Sequence, residues 1–237
     1  MLKLDRTHLA RFQSLIALAV MLAGMSLLSD SFLTLENGLN ILRQISVNLC
    51  LSIGMTLIIL TAGIDLSVGA ILALSGAVAA GLLKDGIRLE LLGVELQFTV
   101  LGSIAAGLLV GAAAGFFNGV TITRFKLPPF VATLGMFSIA RGLTMLWTGG
   151  FPVTGLGQSF GAIGTGVFLG IPVPVWITAS LVGVFVLLTR RTRFGRHIYA
   201  VGGNERAALL TGLRVDRIKV AVYTLGGILA GVAGLIV

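Results

Sequence analysis

The feature that most constrains this chain is the spacing of its charges. Residues 12–29, 44–64, 66–83, 96–123, 142–189 and 220–237 contain no Asp, Glu, Lys or Arg, so charge is confined to short segments between long apolar runs. A helix needs about 20 predominantly apolar residues to cross the hydrocarbon core of a bilayer. This pattern predicts helices near 12–29, 44–62, 66–83, 98–119, 129–148, 172–189 and 220–237, the last cut off by the chain end. Composition agrees: 56% of residues are hydrophobic and 11% charged, and the mean hydropathy is +1.04. An ordinary soluble domain carries about 25% charged residues. The chain is read as a polytopic membrane protein.

The excess of positive charge, +8 at neutral pH, raises nucleic acid as a partner until topology is considered. With the N terminus in the cytoplasm and each span reversing sides, inside segments 1–11, 120–128 and 190–219 hold thirteen Lys and Arg. Outside segments 30–43, 84–95 and 149–171 hold three, and Arg141 falls within a span. Cytoplasmic loops collect Lys and Arg. Topology therefore accounts for the charge, and no nucleic-acid partner is expected. Lys3, Arg6 and Arg11 before the first span resemble the start of a signal peptide. The apolar run of 18 residues is too long for that and ends in no convincing cleavage site, so it is read as a retained helix.

Several chemistries are excluded. No Lys follows a Gly, so the chain has no Gly-Lys-Ser/Thr phosphate loop. The lone Cys50 permits no intrachain disulfide, and His8 and His197 stand in separate polar segments with no ligand cluster. No metal site and no cofactor are expected. No Ser/His/Asp, Cys/His or HExxH set supports an intramembrane enzyme.

Glycine is ordered. Gly107, Gly111, Gly115 and Gly119 recur every four residues, as do Gly69, Ala73, Ala77 and Gly81. Small residues at this spacing let helix backbones approach closely in lipid, so both stripes are expected to hold the bundle together. A pathway lining or a subunit interface is the alternative. Between spans two and three, Thr61-Ala-Gly-Ile-Asp-Leu-Ser-Val-Gly69 breaks the apolar pattern. Gly63 is expected to end one helix in a left-handed conformation. Asp65 is expected to cap the next through the amide of Ser67 or Val68. The break is either a capped turn at the cytoplasmic surface or a position beside a transport path. Arg141 inside a span must snorkel, pair or face water, and Asp65 is a conceivable partner. Pro129 suits a first helical turn. The Gly-rich, uncharged segment 149–171 reads as a mobile, partly embedded connection, and its GxG fragments have no dinucleotide context.

The polar segment 190–219 carries eight basic and two acidic residues. Residues 202–212 within it read as a short helix. Asn204 is its N-cap, Glu205 complements the positive helix start, and Gly212 is the C′ residue. Ala207, Ala208, Leu209 and Leu210 give it a small apolar surface. A two-turn helix is unstable alone in water, so it must dock on its own bundle or on a partner.

Three motifs carry a family resemblance: Ile41-Leu-Arg-Gln-Ile-Ser-Val-Asn48, Gly54-Met-Thr-Leu-Ile-Ile-Leu-Thr-Ala-Gly-Ile-Asp-Leu-Ser-Val-Gly69 and Thr192-Arg-Phe-Gly-Arg-His-Ile-Tyr-Ala-Val-Gly-Gly-Asn-Glu205. The chain resembles permease subunits of bacterial ribose-type ABC importers, a family that includes xylose, arabinose, galactose and autoinducer-2 permeases. The resemblance implies an all-α membrane protein, a polytopic helical bundle of the type II ABC importer kind. About six complete spans and a truncated seventh form one permease domain over residues 1–237, and family members run to roughly ten spans. It implies a location in the bacterial inner membrane and a homodimer or heterodimer with a second permease subunit. A periplasmic sugar-binding protein delivers the monosaccharide, and cytoplasmic ATP-binding subunits grip the loop through Gly202, Gly203, Asn204, Glu205, Ala207, Ala208 and Gly212. On that reading a bulky charge at Ala208 uncouples transport. Gly63, Asp65, Ser67 and Arg141 are the candidates for a helix break beside the path. A self-contained secondary sugar transporter is the alternative. Such carriers place carboxylates or histidines at midplane, and Asp65 and Arg141 are the candidates here.

Overall fold

In the computed structural model, residues 6–89 and 93–237 are described. Lys3 and part of the expected outside segment 84–95 lie outside them. Helices α1 (Arg6–Leu28), α2 (Leu35–Leu60), α3 (Val68–Lys84), α4 (Val100–Arg124), α5 (Pro129–Thr148), α7 (Val173–Arg191) and α10 (Val215–Ile236) occupy the seven predicted spans. Five of them, α2, α4, α5, α7 and α10, are long and apolar enough to cross a membrane, and α1 and α3 contribute shorter apolar runs. The charge-free criterion locates the apolar part of each helix rather than its ends. Thus α2 begins at Leu35, with the Thr34 hydroxyl accepting from the Asn37 amide at 3.3 Å. Likewise α4 runs on to Arg124, where Thr121 and Thr123 donate their hydroxyls back to the Phe117 and Gly119 carbonyls.

The chain divides into a unit ending at Leu42 and a second, Arg43–Val237. In the first, α1 leaves Leu15, Val20, Met21 and Leu27 exposed, an apolar surface suited to lipid. In the second, α10 is the central element. It packs along α4 and α3, and its Val222, Tyr223, Leu229, Ala230 and Ala233 are almost fully buried.

The segment 149–171 is folded, which corrects the expectation of a mobile connection. It forms α6 (Gly157–Thr165) and, with Pro172, a hairpin of β3 (Val167–Phe168) and β4 (Ile171–Pro172). Phe160 of α6 is buried in the bundle. Its glycines made it look mobile, yet Gly155, before α6, and Gly157, at its first position, take φ +80 and +77, conformations that glycine adopts without strain. A second hairpin, β1 (Ile87–Leu89) with β2 (Val94–Leu96), joins α3 to α4.

The polar segment also has more structure than predicted. Thr192 caps α8 (Arg193–Gly203), accepting from the Gly195 amide at 3.2 Å. The expected helix over 202–212 is α9 (Glu205–Leu210), and Gly202 and Gly203 belong to the end of α8 instead.

Candidate functional site

The break between α2 and α3 turns Thr61, Gly63, Asp65 and Ser67 inward and Ala62, Ile64 and Leu66 outward. At the end of α2 the Gly63 amide donates to the Ile58 carbonyl and the Ala62 amide to that of Ile59, at 3.0 and 2.9 Å. These are the paired bonds of a Schellman motif. The left-handed residue is Ala62, at φ +58, and not Gly63. Glycine is needed at 63 for space: a Cβ there would lie 2.7 Å from the Tyr223 hydroxyl oxygen. That hydroxyl donates to the Ile64 carbonyl at 3.1 Å, and the Leu66 amide donates to Thr133 Oγ1 of α5 at 3.2 Å. The irregular backbone is therefore satisfied by side chains from α5 and α10, as burial requires.

Asp65 is 3% exposed and Ser67 fully buried, so both side chains point into the bundle. One Asp65 carboxylate oxygen accepts from the Ser67 amide at 2.7 Å and from its hydroxyl at 2.6 Å. Ser67 Oγ in turn accepts from Asn118 Nδ2 at 2.9 Å. The bond from the Ser67 amide is one of the two expected for Asp65; it holds Ser67, the N-cap residue of α3, so Asp65 ties the break to the start of that helix. Burial pushes its carboxyl above the ordinary aspartate range, and the Ser67 bonds oppose that rise. Arg141 does not pair with it. It is exposed and lines a cavity of about 120 Å³ with Gly69, Ala73, Phe137 and Thr144. Ala73 and Thr144 also border a larger cavity of about 460 Å³, closed by Ala77 of α3, Phe160 of α6 and the end of α10. The small-residue stripe of α3 thus faces a groove shared with α5.

The polar segment sorts its predicted residues into two faces. Gly202 lies against the Leu60 carbonyl, the last residue of α2, where no side chain fits. Ala208 is 5% exposed and packs with Ile198, Val201, Val215 and Ile218. The apolar surface of α9 is therefore split: Ala208 docks on its own bundle, while Leu209 and Leu210 are 59% and 85% exposed. Gly203, Asn204, Glu205, Ala207 and Gly212 are also exposed. Asn204 caps α9 as expected, its Oδ1 accepting from the Ala207 amide at 2.9 Å. Gly212 ends it at φ +83, its amide donating to Leu209 and that of Leu213 to Ala208. Glu205 also pairs with Lys219 of α10 at 2.7 Å. This tie is worth a few tenths of a kcal/mol for such an exposed pair.

Sequence reasoning missed Tyr223, Thr133 and Asn118 as the holders of the break. Asn118 left a trace, a polar side chain within a glycine-rich apolar run. For Tyr223 and Thr133 no local signal exists, because their partners lie 159 and 67 residues away.

Residues 37–237 match the family described as branched-chain amino acid transport system / permease component. The ribose import permease protein RbsC of Escherichia coli strain K12 is 46% identical over 228 residues, covering 94% of this chain and 68% of the relative. The protein of the same name from Bacillus subtilis strain 168 is 45% identical over 224 residues, 93% of this chain and 66% of the relative. The D-allose transport system permease protein AlsC of Escherichia coli strain K12 is 39% identical over 222 residues, 94% and 65% respectively. No solved structure gives a significant match. With its apolar helices arranged as a polytopic bundle, the chain belongs to the permease components of ribose-type ABC importers.

Proposed function

We propose that this chain forms part of the translocation path of an ATP-driven importer for a monosaccharide of the ribose class, and that α9 couples it to separate ATP-binding subunits. The sugar is inferred from the names of the relatives, which are ribose and D-allose permeases. The observation that carries the coupling is the division of the polar segment. One face of α8 and α9 is fixed to the bundle through Gly202 and Ala208, while the other presents Leu209 and Leu210 outward. A push on those leucines reaches the Leu60 carbonyl, and hence the Ala62–Asp65 break, through rigid packing. An element that contacts both a partner and the bundle is what coupling between two sites requires.

In this reading the N terminus and residues 190–219 face the cytoplasm of a bacterial inner membrane, where the excess of Lys and Arg lies. A periplasmic binding protein supplies the sugar from the other side, and a second permease subunit completes the path. The groove of α3 and α5, with Gly69, Ala73 and Arg141, contributes the pathway lining. ATP chemistry belongs to the partner subunits.

Ala208 is a poor test position, since a charge there would disturb the core before it affected any partner. Leu210 is the better one. In cells lacking their own ribose permease but supplied with the binding protein and ATP-binding subunits, the chain is expected to restore ribose uptake. Leu210→Asp is expected to abolish uptake at an unchanged level of membrane-inserted protein. Uptake that persists without the ATP-binding subunits and follows the proton gradient contradicts the proposal and supports a secondary carrier.

A further inference from the structure

The junction of α7 and α8 concentrates four exposed cations within seven residues, Arg190 and Arg191 at the end of α7 and Arg193 and Arg196 at the start of α8. No acidic residue occurs between 190 and 204, and none of the four pairs with a carboxylate among the described residues. The turn that brings them together is tight. Thr192 sits in extended conformation, donates its hydroxyl to the Leu188 carbonyl at 2.6 Å and caps α8. The Gly195 backbone lies against the Leu188 and Thr189 carbonyls with no room for a side chain. Folding α8 back so closely on the end of α7 crowds like charges, which is favourable where an anion lies among them.

Position along α7 identifies the anion. Val184 and Leu187 are exposed and share a helix face, being three residues apart. Arg191 continues that face four residues on. An exposed apolar stripe on a membrane-crossing helix faces acyl chains, and the next residue on the same face at the helix end lies at headgroup depth. Meanwhile Gly195, Ile198 and Val201 turn inward on α8, leaving Arg193 and Arg196 outside. We infer that Arg190, Arg191, Arg193 and Arg196 form a binding site for the phosphate of an anionic phospholipid in the bilayer this chain crosses. The site rests on α7 spanning the membrane and not on the coupling role of α9.

Native mass spectrometry of the full chain, offered phosphatidylglycerol and phosphatidylcholine in equal amounts, tests this. The wild type is expected to retain phosphatidylglycerol preferentially. The R191Q/R193Q/R196Q variant is expected to lose that preference by roughly tenfold or more, while R206Q/R214Q/R217Q, which removes the same charge elsewhere, keeps it. The R191K/R193K/R196K variant also keeps it, showing that the loss follows charge and not a folding defect. Equal retention of the two lipids by the wild type overturns the site, as does an equal loss in both Gln variants. Displacement of the lipid by millimolar inorganic phosphate would assign a free-phosphate site instead. Phosphatidylglycerol preference that survives in R191Q/R193Q/R196Q while copurification with ATP-binding subunits fails would assign an acidic protein partner.

Discussion

The two small-residue stripes look alike in sequence, yet one is packed along its length and the other lies open at its start. On α4, Gly111, Gly115 and Gly119 lie against the backbone of α10 at Gly227, Tyr223 and Val220, and Gly107 against Ser75 of α3. A Cβ at Gly119 would come within 2.7 Å of the Val220 Cα. On α3, Gly69 has no heavy atom within 4 Å of where its Cβ would be, Ala73 is exposed, and the stripe opens onto the groove with α5. At the far end of this stripe Gly81 is packed, with no room for a side chain beside the Trp147 indole of α5, and the close approach to α10 uses Gly76, which meets Gly234 and stands outside the four-residue repeat. Spacing permits close approach, and only the position of a neighbouring helix turns that permission into packing.

Substitutions sharpen the contrast. The largest effect is expected at the packed stripe: Gly115→Ala places a methyl group against the Tyr223 carbonyl, with the Gly227 Cα 3.1 Å away. Backbone on that side cannot yield as a flexible side chain does. A loss of about 3 kcal/mol or more is expected, read as a collapse in the yield of monodisperse protein. A yield equal to the wild type would show that α4 and α10 are not packed this way. A smaller change of opposite sign is expected at the helix break. Ala62→Gly relieves a left-handed alanine on the exposed side of the break and should stabilise the protein by about 1 kcal/mol, seen as a higher melting temperature. The smallest effect on stability belongs to the open stripe. Gly69→Leu should alter it by no more than about 0.5 kcal/mol while lowering sugar uptake, because its side chain enters the groove. Unfolding of this variant would make the two stripes equivalent; unchanged uptake would remove the groove from the path.

The sequence made the membrane class and the seven apolar helices legible, because charge exclusion from hydrocarbon acts on every residue of a span. The α9 caps were legible for a local reason: Asn204 and Gly212 satisfy backbone groups a few residues away. The break was read half correctly. A local rule favoured glycine as the left-handed residue, whereas contact with Tyr223 decides what residue 63 can be and leaves the strained angle to Ala62. Arg141 and Asp65 invited pairing by charge, but tertiary packing sends one to a groove and buries the other with Ser67 and Asn118. The split of α9 into a docked and a free face was also beyond local reading. Ala208 and Leu210 are two residues apart, and only the placement of α8 and α10 separates them.

Accessibility at residue 210 is the most direct test of coupling. Cys50 is the single cysteine of the chain and is fully buried, so a Leu210→Cys variant offers one exposed thiol. Membrane-impermeant maleimide is expected to label it in inverted membrane vesicles stripped of ATP-binding subunits, and to be blocked when those subunits are restored. Labelling from the periplasmic side of intact spheroplasts, or labelling indifferent to the ATP-binding subunits, would contradict the account.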